Sequence, residues 1–183
     1  MKTKGVINKY QQYAYPMQTI LVTSIDKKGK ANIMTVAWHT PISLKPPLYG
    51  VSIAPKRYTH KLILETEEYA LNFVPYNLID QAQFCGTKSG HKIDKSIETN
   101  LTLIPAEKIK APIIKECYSI FECKLKETIT IGDHSFIVGE IINIQKNEES
   151  YENELINLNQ IKPALYLGNN TYSTTDNSQI YKF

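Results

Sequence analysis

The stretch KRYTHK, residues 56–61, sets Lys56 and Arg57 directly ahead of a helix-type pattern that opens at Thr59. A helix start exposes unpaired N–H groups and partial positive charge, and a threonine hydroxyl can donate to an oxyanion. With a guanidinium beside them these groups make a seat for phosphate, and the same residues also suit an ordinary Thr59 cap with solvated basic neighbours. Lys and Arg total 21, yet Arg57 is the only arginine, so its fork geometry stands out. A second stretch, GTKSGHKIDK (86–95), gathers two glycines, two hydroxyls, His91 and three lysines, among them Ser89, Lys92 and Lys95. Such a loop lets backbone approach a ligand closely and supplies charge, but it matches neither GxxxxGK[ST] nor GxGxxG. A third, IGDHSF (131–136), holds His134 at the tip or exit of a hairpin, where an imidazole can hydrogen-bond or move a proton near neutral pH. The fourth, ANIMTVAW (31–38), ends in the single tryptophan, Trp38, followed by His39. An indole beside small and hydroxyl-bearing neighbours suits a flat heteroaromatic ligand, or else a plain core tryptophan. There is no GxSxG, no HExxH and no pair of carboxylates placed for glycoside hydrolysis.

Strands must position these residues. MQTILVTSID (17–26) is apolar and β-branched, KKGK supplies a turn, and ANIMTVAW returns as the partner strand of a hairpin. PLYGVSIA (47–54) and YALNFVP (69–75) are further strands, NLTLIPAEKI (100–109) a weaker one, and residues 39–46 read as a proline-bent loop. In 119–146, Phe121, Cys123 and Leu125 alternate with charged residues, GDHS turns, and FIVGEIINI returns with Gly139 as a bulge or close-approach site. Helices are few and short: 59–68 from an N-cap at Thr59, 77–86 between Asn77 and Gly86, and a turn or helix within 88–98. The sum is an antiparallel barrel or sandwich in a single domain.

Composition narrows the class. A net charge of +3 without a Lys/Arg-rich block gives no footprint for nucleic acid. Three cysteines, Cys85, Cys117 and Cys123, are odd in number and lack metal-ligand spacing, which fits reduced thiols in a cytoplasmic protein. No apolar run reaches signal-peptide or membrane-spanning length, so no membrane partner is expected.

Taken in order, ANIMTVAW, PPLYGVSIAPKRYTHKLI, YALNFVP, CGTKSGHKIDK and GDHSFIVGEI resemble the flavin reductase-like family, and within it the flavoredoxin branch, over about residues 15–168. The resemblance implies a mainly β, antiparallel FMN-binding split barrel over 1–183, with an N-terminal extension (1–14) and a C-terminal tail (169–183). It also implies a homodimer with one FMN per subunit near the interface, reduced by NAD(P)H or by a redox-protein donor. By the family's pattern Asn32, Met34, Thr35, Val36, Ala37 and Trp38 line the flavin ring and ribityl chain, and Ala54, Arg57 and Thr59 surround phosphate and ribityl. Ser89, Lys92 and Lys95 add contacts, His134 lies on the flavin or nicotinamide side as the catalytic candidate, and Tyr166 is the C-terminal aromatic reaching the flavin. Lys95 or His134 would stabilise negative charge on the reduced ring. Two positions depart from the pattern: His91 stands where relatives often carry Arg, and Ser96 where they commonly carry Phe. The function implied is an NAD(P)H-dependent flavin reductase, with a flavodoxin-like electron carrier as the alternative and a flavin-free barrel module as a third reading.

Overall fold

Asp26 turns the chain between the first two long strands, β1 (Ile20–Ile25) and β2 (Ala31–Val36), because its carboxylate accepts from the N–H groups of Lys28 and Lys30 at 2.8 and 2.9 Å. The pair runs in register from Ile20 opposite Val36 to Ile25 opposite Ala31, the hairpin that the sequence predicts. The computed structural model describes residues 1–176 and adds β3 (His39–Leu44), β4 (Pro47–Ile53), β5 (Glu68–Phe73), β6 (Ser119–Ile131) and β7 (His134–Lys146). All seven join one antiparallel sheet in the order β2-β1-β5-β6-β7-β4-β3.

That order dictates the shape. β2 and β3 are the two edges, yet only Ala37 and Trp38 separate them in sequence. Six strand spacings would hold the edges of a flat sheet about 29 Å apart, while the three peptide steps from Val36 to His39 reach only about 10 Å. The sheet must therefore curl until its edges meet, and the Ser52 N–H, donating to the Trp38 carbonyl at 2.9 Å, carries the β3–β4 ladder one step into the two-residue link. Trp38 thus sits where the barrel closes.

Alternation along β1 builds two apolar layers. Ile20 and Val22 face the barrel interior with Tyr49, Val51, Leu71, Phe73 and Ile137. Leu21 and Ile25 face outward against Ile33, Ala82, Cys85, Ile113 and Ile114. The outer layer is covered by helix α2 (Ile79–Thr87), next to α1 (Tyr58–Thr66) and α3 (Lys95–Thr99). Among the described residues no helix is long and apolar enough to cross a membrane.

Several local expectations are corrected. His39–Leu44 is a strand, not a loop, and tolerates Pro41 because it lies at an edge. The weak strand expected at 100–109 shrinks to Leu103–Ile104, paired with Ile113–Ile114. Arg57, not Thr59, takes the N-cap position of helix α1, without a side-chain bond to it, and Thr59 lies inside the first turn. The segment at 77–86 begins as a 3-10 turn, Tyr76–Leu78, and runs past Gly86 to Thr87. Within 88–98 only the stretch from Lys95 is helical, because the Asp94 carboxylate caps it by accepting from the N–H groups of Ser96 and Ile97. The expected tail is partly structured. β8 (Leu165–Gly168) and β9 (Thr171–Ser173) form a hairpin turned by Asn169 and Asn170, both at positive φ, and β8 also pairs with Met17–Gln18. Residues 177–183 of that tail lie outside the described residues. The N-terminal extension carries a 3-10 helix, Ile7–Tyr13.

Gly139 behaves as expected. The β6–β7 register slips between Val138 and Gly139, and a Cβ at Gly139 would collide with the Tyr69 hydroxyl. Gly139→Ala is expected to cost about 1–3 kcal/mol in urea unfolding, and Tyr69→Phe, which removes the colliding atom, to recover part of it. Equal midpoints for wild type and Gly139→Ala would refute the close approach.

Candidate functional site

Lys95, Arg57 and Ser89 come from three separate segments, yet all line one cleft of about 260 Å³. Its walls are Asn32 and Met34 of β2, the start of α1 from Lys56 to Thr59, and the end of α2 with the loop through Gly90. The α1 terminus carries no side-chain cap, and its first residues, Tyr58 and Thr59, line the cleft beside Arg57, which leaves their amide groups for a ligand. Four cationic side chains, Lys56, Arg57, Lys88 and Lys95, are among the lining residues, and no Asp or Glu is among those described. Uncapped amides and fixed positive charge together fit a phosphate group.

Neutral groups set the floor. Asn32 is buried and donates through Nδ2 to the Thr59 hydroxyl at 2.8 Å, which leaves the hydroxyl hydrogen for a ligand oxygen. Gly90 permits this packing, since a Cβ there would collide with the Asn32 carboxamide oxygen. Lys95 is 5% exposed and donates to the carbonyls of Ile33 and Cys85 at 2.7 and 2.6 Å. Burial, opposed by Cys85 and reinforced by the Arg57 charge, pushes its ammonium down to about 8.

Met34 and Arg57 also line a second hollow of about 270 Å³, so the cleft continues into an aromatic shelf. The shelf runs along Thr35, Val36, Ala37 and Trp38 and is bounded by Tyr15, Ser52, His134 and Tyr166. Trp38 is half-buried, tilts against His134 with ring centroids 5.1 Å apart, and donates through Nε1 to the Tyr15 hydroxyl at 3.4 Å. Tyr166 packs edge-on against Tyr15 at 5.3 Å and tilted against Tyr172 at 5.2 Å. His134 Nδ1 lies 2.7 Å from the Asp133 carboxylate. A carboxylate only accepts, so Nδ1 carries the hydrogen and Nε2 is left for another partner. The same bond holds the Asp133 carboxyl below the usual carboxylate range.

Most of the residues expected from sequence therefore line one groove: Asn32, Met34, Arg57, Thr59, Ser89 and Lys95 at the cationic end, and Thr35, Val36, Ala37, Trp38, His134 and Tyr166 at the aromatic end. Val36 is 5% exposed and also packs into the barrel core. Two expectations differ. Lys92 is exposed and lines neither hollow, because it precedes the Asp94 cap that turns Lys95 inward. Ala54 lines neither hollow but an adjoining outer cleft with Asp133, which shares Arg57 with both hollows and His134 with the shelf. Lys95 belongs to the cationic end, not to the shelf, which separates it from His134. His39 is structural. Its Nε2 bonds the Gln18 carbonyl and Nδ1 the Tyr49 hydroxyl, both at 2.8 Å, and burial lowers its pKa. Tyr15 and Ser52 escaped the sequence reading, since nothing local marks a serine inside a strand or a tyrosine whose ring partner Tyr166 arrives only through the β8–β9 hairpin.

Comparison with known proteins places this geometry. The chain is 39% identical over 133 residues to an uncharacterized protein of Archaeoglobus fulgidus, a match covering 73% of this chain and 74% of the relative. The fold is similar to that of flavoredoxin from Methanosarcina acetivorans, with a TM-score of 0.86 at 29% identity over 99% of this chain and 95% of that one. It is also similar to an FMN-binding protein from Thermus thermophilus solved with bound 1-cyclohex-2-enone, with a TM-score of 0.83 at 26% identity over 100% and 98% of the two chains. The architecture is a mainly β, antiparallel split barrel with a few short helices. The flavin reductase-like domain model matches residues 12–175, nearly the whole described chain, and the protein belongs to the flavin reductase-like family.

Proposed function

We propose that the groove binds FMN and that the protein is an NAD(P)H-dependent flavin reductase. The observation that carries this reading is the continuity of the groove. Arg57 and Met34 line both of its ends, so an uncapped helix start with fixed cations and an aromatic shelf serve one ligand with an anionic tail and a flat ring. FMN has that shape, and the likeness to an FMN-binding protein and to a flavoredoxin supports it. When bound, FMN would supply the redox chemistry. The chain's own residues divide the remaining work. Arg57, the α1 amides, Thr59 and Ser89 hold the phosphate. Asn32 fixes the Thr59 hydroxyl, and Gly90 leaves room for it. Trp38 and Tyr166 bound the ring, and His134 offers Nε2 at its edge, oriented through Asp133. The same reading takes the protein to be a cytoplasmic homodimer, in keeping with three buried free cysteines.

The likeness to a flavoredoxin favours a second reading, an electron carrier that holds FMN without a nicotinamide site of its own. Absorption and steady-state turnover separate the two. The purified protein, alone or given FMN, is expected to show flavin bands near ~450 and ~370 nm and to oxidise NADH or NADPH with catalytic FMN present. A yellow protein inert to both nicotinamides establishes the carrier. A protein that neither carries nor takes up FMN overturns the flavin reading.

A further inference from the structure

We infer that Lys95 is a positioning residue coupled to the ligand's phosphate: its ammonium ties β2 to α2 at the cleft wall, and it is protonated in step with a phosphate dianion entering beside Arg57. The inference rests on the flavin reading of the groove and concerns how that site is controlled.

The geometry comes first. Asp94 caps α3 and so aims the first helical residue, Lys95, into the protein. The ammonium then donates to Ile33 O on β2 at 2.7 Å and to Cys85 O on α2 at 2.6 Å. Cys85 lies in the last turn of α2, where carbonyls lack a helical partner and the helix dipole favours a cation. One side chain therefore joins two walls of the cleft. An ammonium has three hydrogens, and the third has no acceptor among the described residues. Lys95 lines the cleft together with Arg57 and Ser89, so a phosphate oxygen there can take that hydrogen.

Charges around the group set the coupling. β2 faces it with Asn32 and Met34, which are uncharged. α2 faces it with the Cys85 thiol, which burial pushes up to about 11 and keeps neutral near pH 8. The segment before α1 contributes Arg57 and Lys56, and the loop after α2 contributes Lys88. On its own element Asp94 spends its carboxylate on Ser96 and Ile97. Burial, opposed by Cys85 and reinforced by the Arg57 charge, holds the ammonium down to about 8. A phosphate monoester, a dianion above pH 7, offsets the burial and the repulsion from Arg57 and restores the proton. By linkage, binding above pH 8 takes up a proton and weakens as pH rises.

The test is the FMN dissociation constant from pH 7 to 9.5, by flavin fluorescence, with riboflavin as the ligand lacking phosphate. The FMN constant is expected to be flat to about pH 7.5 and then to rise by up to tenfold per pH unit above about 8, while that for riboflavin stays flat. Lys95→Arg, charged throughout this range, is expected to flatten the FMN profile. Calorimetry on the wild type in two buffers of different ionisation enthalpy should show uptake approaching one proton at pH 9, a readout that needs no variant. FMN binding at pH 7 with a flat profile, zero proton uptake, or a Lys95→Arg variant that keeps the wild-type slope overturns the coupling and leaves the flavin reading standing. Failure to bind FMN at pH 7 overturns the flavin reading and the coupling with it.

Discussion

Arg57→Met weakens FMN binding by about 30- to 150-fold while leaving riboflavin binding within about threefold. The magnitude follows from losing charge-assisted hydrogen bonds worth about 2–3 kcal/mol to a phosphate, at 1.4 kcal/mol per tenfold. The selectivity follows from position. Arg57 lines the cationic cleft, the aromatic shelf and the outer cleft, so it is the hinge of the groove. No carboxylate pairs with it among the described residues, so its charge is available to a ligand. Its side chain is exposed, and replacing it leaves no buried partner stranded, so the variant should fold with wild-type stability. Titration of both flavins into both proteins decides the matter. An equal loss for FMN and riboflavin would place the phosphate elsewhere.

The second large effect concerns the scaffold. Glu122→Ala is expected to cost about 3 kcal/mol, a fall in Tm of roughly 6–12 °C for a chain of this size. Glu122 is fully buried on β6 and accepts four hydrogen bonds. Two come from the N–H groups of Glu107 and Lys108, at 3.2 and 2.6 Å, and two from the side chains of Asn143 and Gln145, both at 2.8 Å. The carboxylate thus ties the 106–109 segment to both strands of the long hairpin. Removing it strands two amide side chains and two backbone donors, and water can reach the latter because Glu107 and Lys108 are exposed. Burial pushes the Glu122 carboxyl up, but the four donors outweigh it and hold the group below the usual range. A depressed folded value means that the stabilisation is complete above the ordinary value near 4.3 and is lost as pH falls through the lower folded one. Wild type should therefore lose urea stability more steeply than Glu122→Ala below about pH 4. Parallel acid profiles would show that the carboxylate contributes nothing by its charge. Glu122 does not line the groove, so flavin binding should survive in the folded variant.

Sequence by itself determined six of the seven long strands, because alternation, β-branched runs and turn residues are local signals. β3 escaped because Pro41, Pro46 and Pro47 mimic a loop, and only its place at the sheet edge makes a proline harmless there. At the site, Trp38, Arg57 and His134 were legible as rare residue types beside turns. Lys92 and Lys95 were not separable, since which lysine faces inward depends on the Asp94 cap. Tertiary structure alone decided that Tyr15 and Tyr166 share a rim with Trp38, that Lys95 spends its charge on two backbone carbonyls, and that the cationic and aromatic ends form one groove. The reason is sheet closure. Residues far apart in sequence become neighbours only when a seven-stranded sheet curls until its edges meet at a two-residue link, and no local pattern records where that seam will fall.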